Sequence, residues 1–223
     1  MILHYFKLFF IVLLISSFKS STIKTWKYLS LGDSYTICTG TNEQESWPNL
    51  LTKHLIETKI KCTLLENPAR NGFTTKNLMD KELPLLKKLK PNFVTLLIGV
   101  NDWVRGISKQ EFKTNLIFIL DEIQKEIPDR TKLILITIPD FGVTPQGKGF
   151  GTPEEIAKGI LDFNNIIEAE ASKRNLSLVD IFELTQGMAF DKDLVSQDDL
   201  HPSAKEYALW EKLIFIEAIK LLK

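Results

Sequence analysis

The chain has 223 residues and three histidines, and only one of these is well placed for acid–base work. His4 sits in an apolar N-terminal stretch. His54 stands three to four residues from Leu50 and Leu51, the spacing of a packed helix face. That leaves His201 as the candidate general base, in the run Asp198-Asp199-Leu200-His201-Pro202. An aspartate three residues before a histidine can reach Nδ1 across one turn, where it fixes the tautomer and stabilises the imidazolium. Asp199, two residues away, is expected to point elsewhere, toward solvent or the start of the next helix. Taken alone, the pair also fits a helix-start acid beside a surface histidine. Ser34 supplies a candidate nucleophile in Gly32-Asp33-Ser34, where an apolar run ends and a glycine gives the turn steric room. A serine there serves equally well as a helix cap. Asn101, in Gly99-Val100-Asn101-Asp102, ends a second apolar run, and its amide can donate a hydrogen bond. Asn71-Gly72 forms a turn whose Gly72 N–H can face the same place, although this pair is common in turns for backbone reasons alone. A serine, a base, an orienting acid and neutral donors are the parts of nucleophilic catalysis.

These residues need a scaffold that brings them together. Apolar, β-rich runs occur at residues 26–31, 60–65, 93–98, 133–138 and 176–181. Helical spacing fills the gaps, with good start signals: Ser46 before Leu50, Leu51, Leu55 and Ile56, and Ser108 with Glu111 before Phe112 and Leu116. Thr152, Pro153 and Glu155 open another helix, and Ser203 with Glu206 open the last. Strand–helix alternation predicts an α/β fold, a parallel sheet covered on both faces, with strands reading as continuous apolar runs. Five strands fit a flavodoxin-like three-layer sandwich of order 2-1-3-4-5. Its ligand crevice lies at the strands' carboxyl ends between strands 1 and 3, where the order reverses. Ser34 and Asn101 follow those two strands.

With the motifs at predicted strand ends, the sequence resembles the GDSL/SGNH hydrolase family, named for its Ser, Gly, Asn and His. The matches are Gly32-Asp33-Ser34, Asn71-Gly72, Gly99-Val100-Asn101-Asp102 and Asp198 with His201, in the family's order. The segment from Ile138 to Pro145 also looks like one seen in bacterial members. Cys38 departs from the pattern, standing where a small residue such as glycine is expected. The resemblance implies an SGNH hydrolase fold and a serine hydrolase that cleaves carboxylic esters through an acyl-enzyme, on a small-acyl, carbohydrate or lipid ester. It implies Ser34 as nucleophile, His201 as base and Asp198 as its orienting acid. The Ser34 and Gly72 N–H groups and the Asn101 amide are implied as oxyanion donors. No metal or cofactor is implied, and no Cys/His cluster has metal-ligand spacing. Tyr35, Val100, Trp103 and Phe141 follow strand ends and are candidate walls of a substrate pocket, or plain packing. A non-catalytic glycan- or lipid-binding module is the competing reading, but it has no need to keep all four catalytic residues.

Composition limits the alternatives. Lys plus Arg and Asp plus Glu number 28 each, so no basic surplus points to nucleic acid. With 44% hydrophobic residues the chain can bury a sizeable core. Residues 1–21 combine a basic start, the short apolar run of residues 8–15 and a polar small-residue exit, which predicts an export signal. That run is too short to span a bilayer. A buried first element and an uncleaved anchor are the alternatives, and residues 22–223 are expected to form a single domain. No stable membrane span is expected after signal removal, and the sequence leaves the oligomeric state open. Gly147-Lys148-Gly149-Phe150-Gly151 lacks the spacing of a nucleotide loop and is expected to be a mobile loop beside the cleft. Lys87, Lys88 and Lys90 read as a solvated helix face. Cys38 is predicted at the top of the sheet and Cys62 near its bottom. Strand rise puts them about 15 Å apart, too far for a disulfide, whose Cα atoms lie within about 7 Å.

Overall fold

The computed structural model describes residues 24–223, so the signal-like segment 1–21 lies outside the described residues. Five strands, β1 (Trp26–Gly32), β2 (Cys62–Glu66), β3 (Phe93–Leu97), β4 (Leu133–Ile136) and β5 (Ser177–Val179), form one sheet of order β2-β1-β3-β4-β5. Every pairing is parallel, with Gly32 opposite Leu97 and Leu96 opposite Leu135. The helices are α1 (Ser34–Ile37), α2 (Trp47–Glu57), α3 (Thr75–Lys81), α4 (Leu83–Leu89), α5 (Val100–Val104), α6 (Lys109–Glu126), α7 (Pro153–Arg174), α8 (Phe182–Thr185) and α9 (Ala204–Leu222). Among them, α2 packs on α9, while α6 packs on α3, α4 and α7. Right-handed crossovers require this two-layer arrangement once the strand order reverses at β1. Among the described residues no helix is long and apolar enough to cross a membrane.

Sequence and structure agree most closely in the middle of the sheet. Every residue of β3 and β4 is buried, as in strands covered on both faces. The edge strand β2 differs: Thr63 is exposed and Leu64 and Leu65 only half-buried, since among the described residues no further strand pairs with its outer edge. The start of α7 follows its sequence signals, with a capping box in which Thr152 accepts from the Glu155 N–H and the Glu155 carboxylate accepts from the Thr152 N–H. Two other start signals work differently. The Ser46 hydroxyl donates to the Glu43 carbonyl of a preceding 3₁₀ turn at 2.7 Å and leaves α2 without a side-chain cap. Glu206 turns inward and accepts from the Trp210 indole at 2.8 Å. Both cysteines are free and buried, and His54 packs its ring on Phe215 and contacts Glu211 at 2.9 Å.

Candidate active site

Ser34 is the first residue of α1, directly beyond the end of β1. The backbone approaches its neighbours so closely here that only glycine fits at position 32. A Cβ on Gly32 would lie 2.2 Å from the Thr36 hydroxyl and 2.3 Å from the Leu97 carbonyl oxygen. Asp33 caps α1 by accepting from the Tyr35 N–H at 3.0 Å. Cys38 closes the helix with φ of 61°, in the left-handed region that glycine occupies without strain. The departure from glycine at this position thus costs backbone strain, offset by burial of the thiol.

The loop before α9 carries His201. An isolated antiparallel bridge joins Val195 to Pro202, and Asp199 reverses the chain with φ of 58°. Inside this turn one oxygen of Asp198 accepts from the Ser196 hydroxyl, the Leu200 N–H and the His201 N–H, at 2.7, 3.0 and 2.9 Å. Its other oxygen meets His201 Nδ1 at 2.6 Å. Partial burial pushes the Asp198 carboxyl up, but these hydrogen bonds outweigh it and hold the group well below the usual carboxylate range. The His201 ring meets the edge of the Tyr35 ring, with centroids 5.8 Å apart. Because Tyr35 adjoins Ser34 in the chain, this contact seats the imidazole on the serine's own helix.

The third side of the site is built by α5. Gly99, with φ of 130°, lets β3 turn into the helix where a Cβ would lie 2.7 Å from the Phe112 ring. The Asn101 amide donates to the Phe73 carbonyl at 3.0 Å, leaving its second N–H for another partner. The buried Asp102 accepts from the Thr75 N–H at 2.9 Å and from its hydroxyl. Arg105 donates to the Gly72 carbonyl at 2.7 Å, and Thr39 bonds Asn71 from the side of α1. Four side chains therefore fix the 71–75 turn that presents Gly72. The sequence singled out Gly72 and Asn101 and carried Asp102 as part of the Asn101 motif, but gave no role to Asp102, Thr39 or Arg105. The one available signal was the acid directly after Asn101.

The candidate pocket walls separate into two groups. Tyr35, Val100 and Phe141 are buried, at 4%, 6% and 2% exposure, as is Ser34 itself at 6%. Tyr35 packs between His201 and Trp210, and Phe141 between Trp103 and Phe150. Trp103 is half-buried and reaches Gly159 of α7, where a Cβ would meet the indole nitrogen at 1.8 Å. Phe150, not foreseen, is about half exposed. It lies in a 3₁₀ turn (Gly147–Phe150) within the segment expected as a mobile loop beside the cleft, and the preceding Gln146 N–H donates to the Asp199 carbonyl at 2.9 Å. A polar cleft of about 580 Å³ runs from Ile37 at the end of α1 to the segment after β2, with Thr41, Glu43, Glu66, Asn67 and Arg70 in its lining.

Residues 30–209 match the model of the GDSL-like lipase/acylhydrolase family. The chain belongs to that family. Among known proteins, this GDSL-family chain is 24% identical to esterase TesA of Pseudomonas aeruginosa over 178 residues, 78% of this chain and 79% of that protein. It is 32% identical over 125 residues to a multidomain esterase of Ruminococcus flavefaciens, covering 55% of this chain and 15% of that protein. The crystal structure of TesA superposes with a TM-score of 0.70 at 24% identity, covering 88% of this chain and 99% of that one. A family 3 carbohydrate esterase of Clostridium thermocellum superposes at 0.71 with 21% identity, covering 89% and 98%. These likenesses establish the SGNH hydrolase fold, and the family establishes a carboxylic ester hydrolase acting on small-molecule esters.

Proposed function

We propose that this hydrolase works through an acyl-enzyme on Ser34, with His201 and Asp198 completing the triad. Ser34 Oγ attacks the ester carbonyl while His201 Nε2 takes its proton, and Asp198 steadies the imidazolium at Nδ1. The proton passes to the leaving alkoxide, and water then attacks the acyl-enzyme with the same base assisting. The Ser34 and Gly72 N–H groups and the free N–H of Asn101 stabilise the oxyanion, where one donor is worth about 100–1,000-fold in turnover. The observation that carries this reading is the Asp198-held imidazole resting on Tyr35, the residue next to Ser34. Trp103 and Phe150 offer an apolar surface suited to a short acyl group, and the polar cleft beside α1 suits an alcohol rich in hydroxyls, such as a sugar. Nothing specific favours a non-catalytic binding module. Residues 22–223 act as a single catalytic domain in this reading, and residues 1–21 direct its export. An organophosphonate probe tests it: one adduct per chain is expected on Ser34 by mass spectrometry. An adduct on another residue, or none on active protein, overturns it.

A further inference from the structure

Two carboxyl groups that the mechanism does not use flank Ser34. Glu82, fully buried at the junction of α3 and α4, accepts from the Gly32 N–H at 2.9 Å. Asp33, also buried, accepts from the Tyr35 N–H at 3.0 Å. These acceptors therefore fix the backbone two residues before and one residue after the serine. Each carboxyl has a second oxygen, Glu82 Oε1 and Asp33 Oδ2, that is buried with no donor in full hydrogen-bond geometry; the Gly99 N–H also faces Asp33 and favours its charged form, but by much less than burial disfavours it. An ionised carboxylate would leave a buried, unpartnered oxygen bearing charge, whereas a neutral acid leaves only an unpartnered hydroxyl, which costs far less.

We propose that Asp33 and Glu82 are positioning residues that act as neutral carboxylic acids, clamping the backbone on either side of Ser34 while keeping negative charge away from its oxyanion. The serine N–H lies between the two clamped peptide groups, so its direction depends on both. Were either acid ionised, its charge would oppose the developing oxyanion in a water-poor setting, where such repulsion is strong. The groups facing the pair act in both directions. Asp102 on α5 adds negative charge near Asp33, and Arg70 after β2 adds positive charge near Glu82. Tyr35 of α1 and Tyr207 of α9 also face Asp33. Burial is the largest influence and pushes Asp33 and Glu82 each up to about 8, so both stay largely neutral at physiological pH.

This inference rests on the Ser34 reading, and the tests separate the two. In infrared spectra at pH 6.5, the wild-type protein should show the stretch of protonated carboxyls, each of Asp33→Asn and Glu82→Gln should remove part of it, and the band should fade above about pH 8. Absence of that band, or a band untouched by both substitutions, overturns neutrality whatever the activity. In kinetics, kcat of the wild type should fall as the pH rises through about 8. Each amide variant keeps its acceptor to the backbone, so it should stay within about threefold of wild-type kcat at pH 6.5 and lose part of the alkaline decline. Asp33→Ala and Glu82→Ala remove the clamp and should lower kcat about tenfold or more with little change in KM. An alkaline decline unchanged in both amide variants, or amide variants as impaired as the alanine ones at pH 6.5, overturns the positioning role. An inert wild-type protein that still shows the carboxyl band refutes the Ser34 reading, and with it the positioning role, but not the neutrality of the acids.

Discussion

Adjacent aspartates at positions 198 and 199 behave as different residues because one backbone reversal separates them. Asp198 is wrapped by donors from residues 196, 200 and 201 and touches the imidazole, while Asp199 sits exposed in the left-handed region and offers only its carbonyl, to Gln146. Asp198→Asn therefore loses the charge that stabilises the imidazolium, and its amide can hold the wrong tautomer. Turnover on a short ester should drop about 100-fold or more. Asp199→Asn should leave turnover within about threefold, since asparagine tolerates a positive φ as well as aspartate does. Comparing kcat of the two folded variants decides the matter, and equal or reversed losses would refute the assignment. The contact of Asp198 with His201 was legible in the sequence because a three-residue spacing is local geometry. Asp33 and Glu82 had no such local signal: Asp33 stands only as the middle residue of Gly32-Asp33-Ser34, and Glu82 among lysines and leucines like any surface acid. Their burial comes from β1 and α4 meeting across fifty residues of sequence, and no local pattern reports that.

At the scale of elements, strand ends were legible because apolar runs stop at Gly32 and Gly99, each forced by a close approach. Strand order followed from the alternation with helices, and the covered faces from the absence of polar alternation in β3 and β4. The exposed face of β2 was not legible, since an edge strand with leucines looks like a central one. Residues just past a strand end are near the crevice in sequence, and Phe141 and Val100 also belong to the buried core, a burial that sequence position alone does not report. Gly99 gives a direct test of how α5 is set. Gly99→Ala would place a Cβ against Phe112 and Ile138 at a φ that L-residues rarely adopt. Overpacking and backbone strain together should cost about 2–4 kcal/mol. Urea unfolding monitored by tryptophan fluorescence reads that loss, and a change below about 0.5 kcal/mol would show that α5 adjusts freely.

For the molecule as a whole, the reversal of strand order at β1 gathers Ser34, the 71–75 turn and α5 around one crevice, and α9 returns beside β5 to bring His201 back to it. Building the site on buried strand ends places acidic groups in the interior, and their protonation ties stability to pH. Burial pushes Asp33 and Glu82 up to about 8 and Glu206 up to about 7. An unfolded carboxyl titrates near 4. Between those values the unfolded chain releases protons that the folded chain retains, so the contribution of these groups is greatest below about pH 4 and is lost as pH rises toward 8. Each such group contributes a slope of up to about 1.4 kcal/mol per pH unit across its window. Asp198 acts in the opposite sense: its lowered folded value gives stability that is present above the unfolded value and lost only in stronger acid. The two trends meet in mild acid, so Tm should peak near pH 4–5 and decline toward pH 8. Scanning calorimetry across that range measures the curve, and Glu82→Gln, which cannot ionise, should flatten its neutral limb. A Tm that rises steadily from pH 5 to 8 in the wild type would mean that these carboxyls are ionised in the folded protein, and that donors beyond Gly32 and Tyr35 reach them.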